Sequence, residues 1–361
     1  MLPHAQNQSP LGNLLVRTDA NIAIGTGHVM RCLALAQAWQ DLGGCAVFAM
    51  AEATAAVEAR LRSEGMEVVT LRGTAGTPQD SNETAQLAAS NGADWVVVDG
   101  YQFGAEYQLA LKSAGHKVLF VDDNGHAERY SADLVLNQNA CASEDYYRNR
   151  NSGTELLLGL QYGMLRREFR NWRNRQRDIP KTASKILVTS GGSDAANLTP
   201  RVIDALDLIG LAGLEATIVA GGSNPHIREL ETAVGKAKLH LRLLQNVTSM
   251  AELMADAHVA ISAAGTTVLE LAFMGVPTIL VTVADHQRSN AEACEKLEIA
   301  QNLGDLSHVT PARLATALSE LISDPEHRST MTSRARLSVD GLGAERVAAR
   351  LAAGNRKGRN G

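Results

Sequence analysis

The 361-residue sequence predicts an α/β protein built from two doubly wound domains that face each other across a cleft. Three observations carry that expectation. The first is length, because single cores usually stop growing at about 250–300 residues and longer chains divide. The second is that short apolar runs alternate with helix-like patterns in both halves, as stacked βα units require. The third is that each half opens with a strand, a glycine turn and a helix. Leu14-Leu15-Val16 precedes Gly25-Thr26-Gly27 in one half, and Lys185 to Ser190 precedes Gly191-Gly192-Ser193 in the other. Two such halves leave a deep cleft between them, the default place for a ligand.

Composition removes several classes of function. Hydrophobic residues make up 45% of the chain, enough for two cores. A net charge of −5 lacks the basic surplus of a nucleic-acid binder, and 4% aromatic residues leave few platforms for base stacking. Cys32, Cys45, Cys141 and Cys294 are scattered, without a C-x-x-C pair or a His/Cys cluster at metal spacing, which argues against disulfides and structural zinc. Residues 1–10 lack the basic and apolar segments of a signal peptide, and no apolar run reaches the roughly 18 residues needed to span a bilayer. A reducing cytoplasm is the expected compartment.

The opening turn reads Ile24-Gly25-Thr26-Gly27-His28-Val29-Met30-Arg31. Val29, Leu33, Ala36 and Trp39 then recur at helical spacing on one face, so His28 falls in the first turn of a helix. Free backbone N–H groups and the positive end of the helix dipole favour an anion there and disfavour a protonated imidazole by about 0.3–1 kcal/mol. A neutral imidazole beside an anion-binding turn suits a general base, an effect worth about 10²–10⁴ in rate. The alternative is a tight turn in which His28 caps or packs, since short glycine motifs have many chance matches.

Along the first half, Ala46 to Met50 reads as a strand and Ala53 to Gly65 as a helix closed by glycine. Glu67 to Leu71 is the next strand. Arg72 to Asp80 is a polar loop before a helical pattern through Ala89. Trp95 to Val98 ends in Asp99-Gly100, an apolar run with an acidic tip. That pattern suits a buried parallel strand whose carboxyl end opens on a crevice, so Asp99 and Tyr101 are expected to face the site. Val118 to Val121 with Asp122-Asp123, and Leu134 to Leu136 with Asn137-Gln138-Asn139, repeat the pattern. One such tip is more often a solvated strand end; three converging on one sheet edge point to a site.

Arg166 to Arg177 sets six arginines around Trp172 and ends at Ile179-Pro180, which reads as an interdomain helix and a solvated connector rather than an RNA or membrane face. Thr217 to Ala220 leads to a second turn at Gly221-Gly222, and Leu239 to Leu244 is a strand before Gln245-Asn246. Ser249 to Glu252 reads as a capping box. From His258 to Glu270 a strand, the small residues Ala263-Ala264-Gly265 and a helix start at Thr266-Thr267 follow one another. Small residues let the backbone approach a ligand, and the helix start supplies N–H donors for a pyrophosphate. Glu270, one turn further, is placed to accept from ribose hydroxyls. Gly191-Gly192-Ser193 offers a second phosphate-facing turn. Either alone is more often simple turn chemistry, whereas both in one domain favour a nucleoside-diphosphate site.

These motifs resemble those of the UDP-sugar hydrolases of pseudaminic acid biosynthesis, the PseG family, relatives of the GT-B glycosyltransferase that makes lipid II. The resemblance runs through Val16-Arg17-Thr18-Asp19, the Gly25 to Arg31 turn, Val98 to Tyr101, Asp122-Asp123 and Leu136 to Asn139. It continues through Leu158-Gly159 to Tyr162, Leu165-Arg166 to Phe169, Ser190 to Asp194 and Ser262 to Glu270, covering residues 14–305. It implies Rossmann-like domains in a GT-B-like arrangement. The expected order is a disordered arm over 1–13, an N-terminal domain over 14–165 with the catalytic histidine, a linker over 166–182 and a UDP-binding domain over 183–345. A helix end and a disordered basic tail follow over 346–361.

The resemblance also implies a reaction: hydrolysis of UDP-2,4-diacetamido-2,4,6-trideoxy-β-L-altropyranose to UDP and the free sugar, without metal or other cofactor, by water attacking the anomeric carbon with inversion. The expected partner is this small UDP-sugar, and the expected state is a cytoplasmic monomer working beside pathway enzymes for cell-surface polysaccharide and flagellin glycosylation. His28 matches the catalytic histidine. Asp19, Gly25, Gly27, Arg31, Asp99, Tyr101, Asp122, Asn137 and Gln287 are the expected sugar-side residues. Gly191, Gly192, Ser193, Asn246, Val247, Ala264, Gly265, Thr266, Thr267 and Glu270 are the expected UDP-side residues. Two positions depart from the family: Ala264 replaces an expected glycine at the phosphate loop, and His286 stands where relatives tend to carry asparagine. Two other readings stay open. A GT-B glycosyltransferase would usually need an acceptor surface, and residues 1–160 show no apolar or basic membrane patch. A silent UDP-sugar-binding protein would not need the histidine.

Overall fold

Runs such as Trp95-Val96-Val97-Val98 are apolar at every position, so they need cover on both faces, and that requirement builds parallel sheets layered between helices. The structure, a computed structural model, describes residues 11–22, 24–222 and 224–359. The first sheet contains β1 (Asn13–Thr18), β2 (Cys45–Met50), β3 (Glu67–Thr70), β4 (Ala93–Asp99), β5 (Lys117–Val121), β6 (Leu134–Asn137) and β7 (Glu155–Leu158). Its strands lie parallel in the order β3-β2-β1-β4-β5-β6-β7, with Leu15 between Val47 and Val96. Helices α1 (Gly27–Asp41), α2 (Ala55–Ser63), α3 (Pro78–Ser90) and α4 (Ala105–Ser113) connect the first five strands.

The second sheet contains β8 (Lys185–Thr189), β9 (Glu215–Ala220), β10 (His240–Gln245), β11 (Val259–Ala263), β12 (Thr278–Thr282) and β13 (Gln301–Asp305). It is also parallel, in the order β10-β9-β8-β11-β12-β13. Helices α5 (Leu198–Ile209), α6 (Ile227–Lys236), α7 (Met250–Asp256), α8 (Thr267–Met274) and α9 (Arg288–Lys296) connect its strands. Helices α10 (Pro311–Ser323), α11 (Pro325–Ser338) and α12 (Gly343–Arg359) close the chain.

In each sheet the strand order reverses once, between β1 and β4 and between β8 and β11. Connections leave opposite faces at such a point, which opens a crevice at the carboxyl ends of the two strands. The α1 turn and the Asp99 tip flank the first crevice. The Gly191-Gly192 turn and the start of α8 flank the second.

Several expectations are corrected. Helix α1 is buried on all sides from Val29 to Trp39 apart from Met30, not on one face. The reason is α12, which returns from the second domain to pack Ala344, Val347, Ala348 and Leu351 into the core formed by Leu14, Val16, Leu33, Phe48 and Val97. Trp95 Nε1 donates to the Leu351 carbonyl at 3.0 Å. The segment from Arg166 is not a long helix, and its first half is packed rather than solvated, while Asn174 to Gln176 are exposed. Only Arg167–Trp172 forms a 3₁₀ turn, Phe169 is buried, and Arg166 is 7% exposed. Arg167 reaches Asp41, and Arg170 pairs with Asp41 and Glu345, so this stretch is clamped against α1 and α12. Ser249 precedes α7 without a side-chain capping bond. Helix α3 starts inside the supposed loop, because Thr77 accepts from Asp80 N and Pro78 supplies a preset first turn. The backbone remains helical through Arg359, where a disordered tail was expected. Of the expected N-terminal arm, Asn13 opens β1 and Leu11 packs against the first core, while residues 1–10 lie outside the described residues. Strands β7, β12 and β13 have no counterpart in the sequence reading; each is only four or five residues long, and Gln301-Asn302-Leu303-Gly304-Asp305 carries no strand signature.

Candidate active site

The site grows from the start of α1. Thr26, its N-cap, makes no side-chain capping bond, so the first amides of the helix point outward without intrahelical partners. His28 is 7% exposed, and its Nδ1 lies 2.6 Å from Asp99 Oδ1 at the tip of β4. In the tautomer that this pairing favours, Nδ1–H donates to the carboxylate and Nε2 is the acceptor nitrogen of the ring. Arg31, one turn further along α1, donates from Nε to Asp99 Oδ2 and from Nη2 to Asp99 Oδ1, both at 2.7 Å. Its Nη1 contacts both oxygens of Asp123, at 2.8 and 2.7 Å. Burial opposes the charge on Asp99, yet the charge of Arg31 and the hydrogen bonds from Arg31 and His28 hold its carboxyl well below the usual carboxylate range.

Tyr101 covers this array. Its ring meets His28 edge-on at 4.9 Å, and its hydroxyl donates to Asp123 Oδ2 at 3.3 Å. Burial and the Asp123 charge push the phenol up, so it stays a donor. On the other side of the Tyr101 ring lies His286 of the second domain, at 5.2 Å. Burial, opposed by the Asp123 charge, pulls the His286 imidazole below its usual value.

The second domain contributes a wall made of backbone. Thr266 precedes α8 without a side-chain cap; Val268 N and Leu269 N donate back to the Gly265 and Thr266 carbonyls, so the open donors at this helix start are those ahead of Val268. The turn after β8 passes through Gly191 at φ +79°. A Cβ on Gly192 would fall 2.5 Å from Thr26 Oγ1, so glycine is required where the two domains touch. The start of α5, by contrast, is closed, because Asp194 accepts from Leu198 N and Thr199 N. Glu270, in the first turn of α8, accepts from Arg166 Nη2 at 2.9 Å. Arg166 also contacts Glu168 at 3.1 Å, and burial together with the Glu270 charge raises the Glu168 carboxyl despite Arg166.

These walls enclose one cavity of about 870 Å³ between the domains. Of the sugar-side expectations, Gly25, Gly27, His28, Arg31, Tyr101 and Gln287 line it. All the UDP-side expectations line it as well: Gly191, Gly192, Ser193, Asn246, Val247, Ala264, Gly265, Thr266, Thr267 and Glu270. Four residues do not. Asp99 stands behind His28 and Arg31. Asp19 caps the amides of Ala51 and Glu52 and pairs with Arg17. Asp122 holds the amides of Asn124, Gly125 and His126, and Asn137 binds the Asp123 carbonyl and the Tyr147 hydroxyl. Their polar side chains are consumed by the loops that carry the cavity wall.

The cavity also includes residues that sequence reasoning missed: Gln102, Asp123, Asn139, Arg166, Asn290, and Ala56, Val57, Ala59 and Arg60 of α2. Asp123 and Asn139 stood in quoted motifs, and Arg166 was hidden in an arginine-rich run. Nothing in the local sequence of α2 marks it as a wall, since the residues it faces are some 190 positions away, as in the bond from Arg60 Nη1 to the Thr248 carbonyl at 3.2 Å.

Comparison with known proteins matches this geometry. Across 95% of this chain and 99% of its own length, the structure of MurG from Acinetobacter baumannii superposes with a TM-score of 0.62 at 19% identity. The fold is GT-B. Residues 185–348 match the glycosyltransferase family 28 C-terminal domain, which places the second half of the GT-B cleft within that description. An uncharacterized protein of Methanocaldococcus jannaschii is 24% identical over 76% of this chain, and the match spans 56% of its own length. The spore coat polysaccharide biosynthesis protein SpsG of Bacillus subtilis is 29% identical over 65% of this chain and 68% of its own. A UDP-2,4-diacetamido-2,4,6-trideoxy-β-L-altropyranose hydrolase of Campylobacter jejuni is 24% identical over 77% of this chain and 94% of its own.

Proposed function

We propose that this GT-B protein hydrolyses a UDP-linked 2,4-diacetamido-2,4,6-trideoxyhexose to UDP and the free sugar, as named for the Campylobacter jejuni relative. The observation that carries the reading is the His28–Asp99–Arg31 array. A carboxylate fixes Nδ1 of a cavity-lining imidazole, so Nε2 is left as an acceptor toward the cleft. In this reading Nε2 takes a proton from water as that water attacks the anomeric carbon, and Tyr101 and His286 bracket the sugar. The starts of α1 and α8 and the Gly191-Gly192 turn hold the pyrophosphate and stabilise its developing charge through preorganised N–H groups. Val247 and Met250 border the nucleoside end, and Glu270 accepts from the ribose.

The family 28 match favours a second reading, transfer of the sugar from the same UDP donor to an acceptor. Both readings share the nucleotide half and differ only in what His28 activates. Purified protein incubated with the UDP-sugar in heavy-oxygen water, with no acceptor present, separates them. The expected result is release of UDP, with label in the free sugar and none in UDP. His28→Asn is expected to lower turnover by about 10²–10⁴ while UDP binding persists. Label in UDP would mean attack at phosphorus, and UDP release that depends on an added acceptor would favour the transferase.

A further inference from the structure

The support behind His28 does not end inside its own domain. Asp123 holds Arg31, and Asp123 Oδ1 in turn accepts from Asn139 Nδ2 at 3.1 Å. Asn139 sits on the loop after β6, and the next residue, Ala140, donates its amide at 2.9 Å to Asn290 Oδ1 on α9 of the second domain. Asn290 is 7% exposed and lies on the cavity wall, and the bond it accepts is partly buried. A second tie sits beside it: Asn124, its amide turned so that nitrogen faces the acceptors, donates to the His286 and Asp123 carbonyls at 3.2 Å each. The segment from Asp285 to Asn290 therefore grips the loop that carries Asp123 and the loop that carries Asn139.

We propose that Asn290 is a positioning residue that makes the His28 array depend on closure of the two domains. The route runs from Asn290 to Ala140 and Asn139, then to Asp123, Arg31, Asp99 and His28, with every polar step at 3.1 Å or less. Asp123 is held by Arg31, Asn139 and Tyr101, so losing the Asn139 link loosens one of three holds on the carboxylate that steadies Arg31. When the second domain swings away, the Ala140 amide loses its acceptor, Asn139 releases Asp123, and Arg31 gains freedom to leave Asp99. The Nδ1 proton of His28 then loses its fixed acceptor. Coupling of this kind confines a competent base to the closed, substrate-filled state. The proposal rests on His28 acting as the base in the reaction proposed above, but the contacts themselves are independent of which bond breaks.

The test is a double-mutant cycle. Asn290→Leu keeps the branching at Cγ and removes the acceptor; Asn139→Ala removes the donor to Asp123. Each single change is expected to lower kcat on the order of tenfold, as small misplacements of catalytic groups do, with the dissociation constant for UDP unchanged. Because both act on one route, the double variant should be no slower than the worse single one. Asn290→Asp keeps an acceptor oxygen and should restore most of kcat. Multiplying effects, or a loss of UDP affinity equal to the loss of kcat, would overturn the proposal. A second readout does not need turnover. In protein labelled with ¹⁵N-histidine, the wild type should show His28 as the Nδ1–H tautomer, and Asn290→Leu a mixture. If no UDP-sugar is hydrolysed, the proposed function fails, and an unchanged tautomer in Asn290→Leu would separately sink this one.

Discussion

At the scale of single residues, ionised side chains here act through neighbours more than alone. Glu270 shares Arg166 with Glu168, so its carboxylate is held in place before any ligand arrives. If it accepts from the ribose, that contact is equal in ground and transition states, and Glu270→Ala should raise KM far more than it lowers kcat. Steady-state kinetics with the UDP-sugar check this, and a collapse of kcat at constant KM would give Glu270 another role. His126 shows the same dependence. Its Nδ1 lies 3.0 Å from Asp122 and its Nε2 2.9 Å from the Phe103 carbonyl, two acceptors that suit a doubly protonated ring. Burial opposes the charge, but Asp122 outweighs it and raises the imidazole above its usual value. The folded state thus binds the proton more tightly than the unfolded chain. The extra stability is fully present below the unfolded value of about 6.5 and is lost as pH rises through the folded value. Denaturation of wild type and His126→Gln should show a gap that narrows as pH rises above about 6.5.

At the scale of elements, α12 decides whether the first domain is finished. Val347, Ala348 and Leu351 are fully buried against α1, and the Trp95 indole is satisfied only by the Leu351 carbonyl among the described residues. Leu351→Ala should cost about 2–5 kcal/mol, as other buried leucine truncations do. The loss should appear in the unfolding of the first domain, although residue 351 follows the second in sequence. Fluorescence of Trp39 and Trp95 in denaturant, both buried in that core, reports it. The turns obey a different constraint. Thr26 and Gly192 lie so close that the cleft closes backbone to backbone, which is why two glycine turns of modest sequence specificity become one surface.

At the scale of the whole molecule, the reaction proposed needs two half-sites on separate sheets, each at a point where strand order reverses. The pyrophosphate would meet backbone N–H donors from two helix starts and a glycine turn. Among the described residues no cluster of three His, Cys, Asp or Glu side chains is placed to hold a metal ion. Activity should therefore survive EDTA, measured as UDP release before and after chelation, and a loss restored by magnesium would mean that the phosphate turns have been misassigned. No helix among the described residues is long and apolar enough to cross a membrane.

The sequence by itself determined the α/β class, the two-half arrangement and the turns that line the cleft, because strand runs, glycine turns and helix starts are local features with local physical causes. It also marked the polar tips of β4, β5 and β6, which do converge on one sheet edge. What it could not decide was which polar residue at each tip reaches the cavity. Asp122 and Asp123 are adjacent and chemically identical, yet the first is spent on its own loop and on Tyr130, while the second faces Arg31. Alternation along the backbone sends neighbours to opposite sides, and only the packed sheet says which side holds the site. Arg166, Asn290 and α12 lay beyond local reading for the same reason. Their partners Glu270, Ala140 and Trp95 are 104, 150 and 256 residues away, and contacts across such separations exist only once both domains have closed on each other.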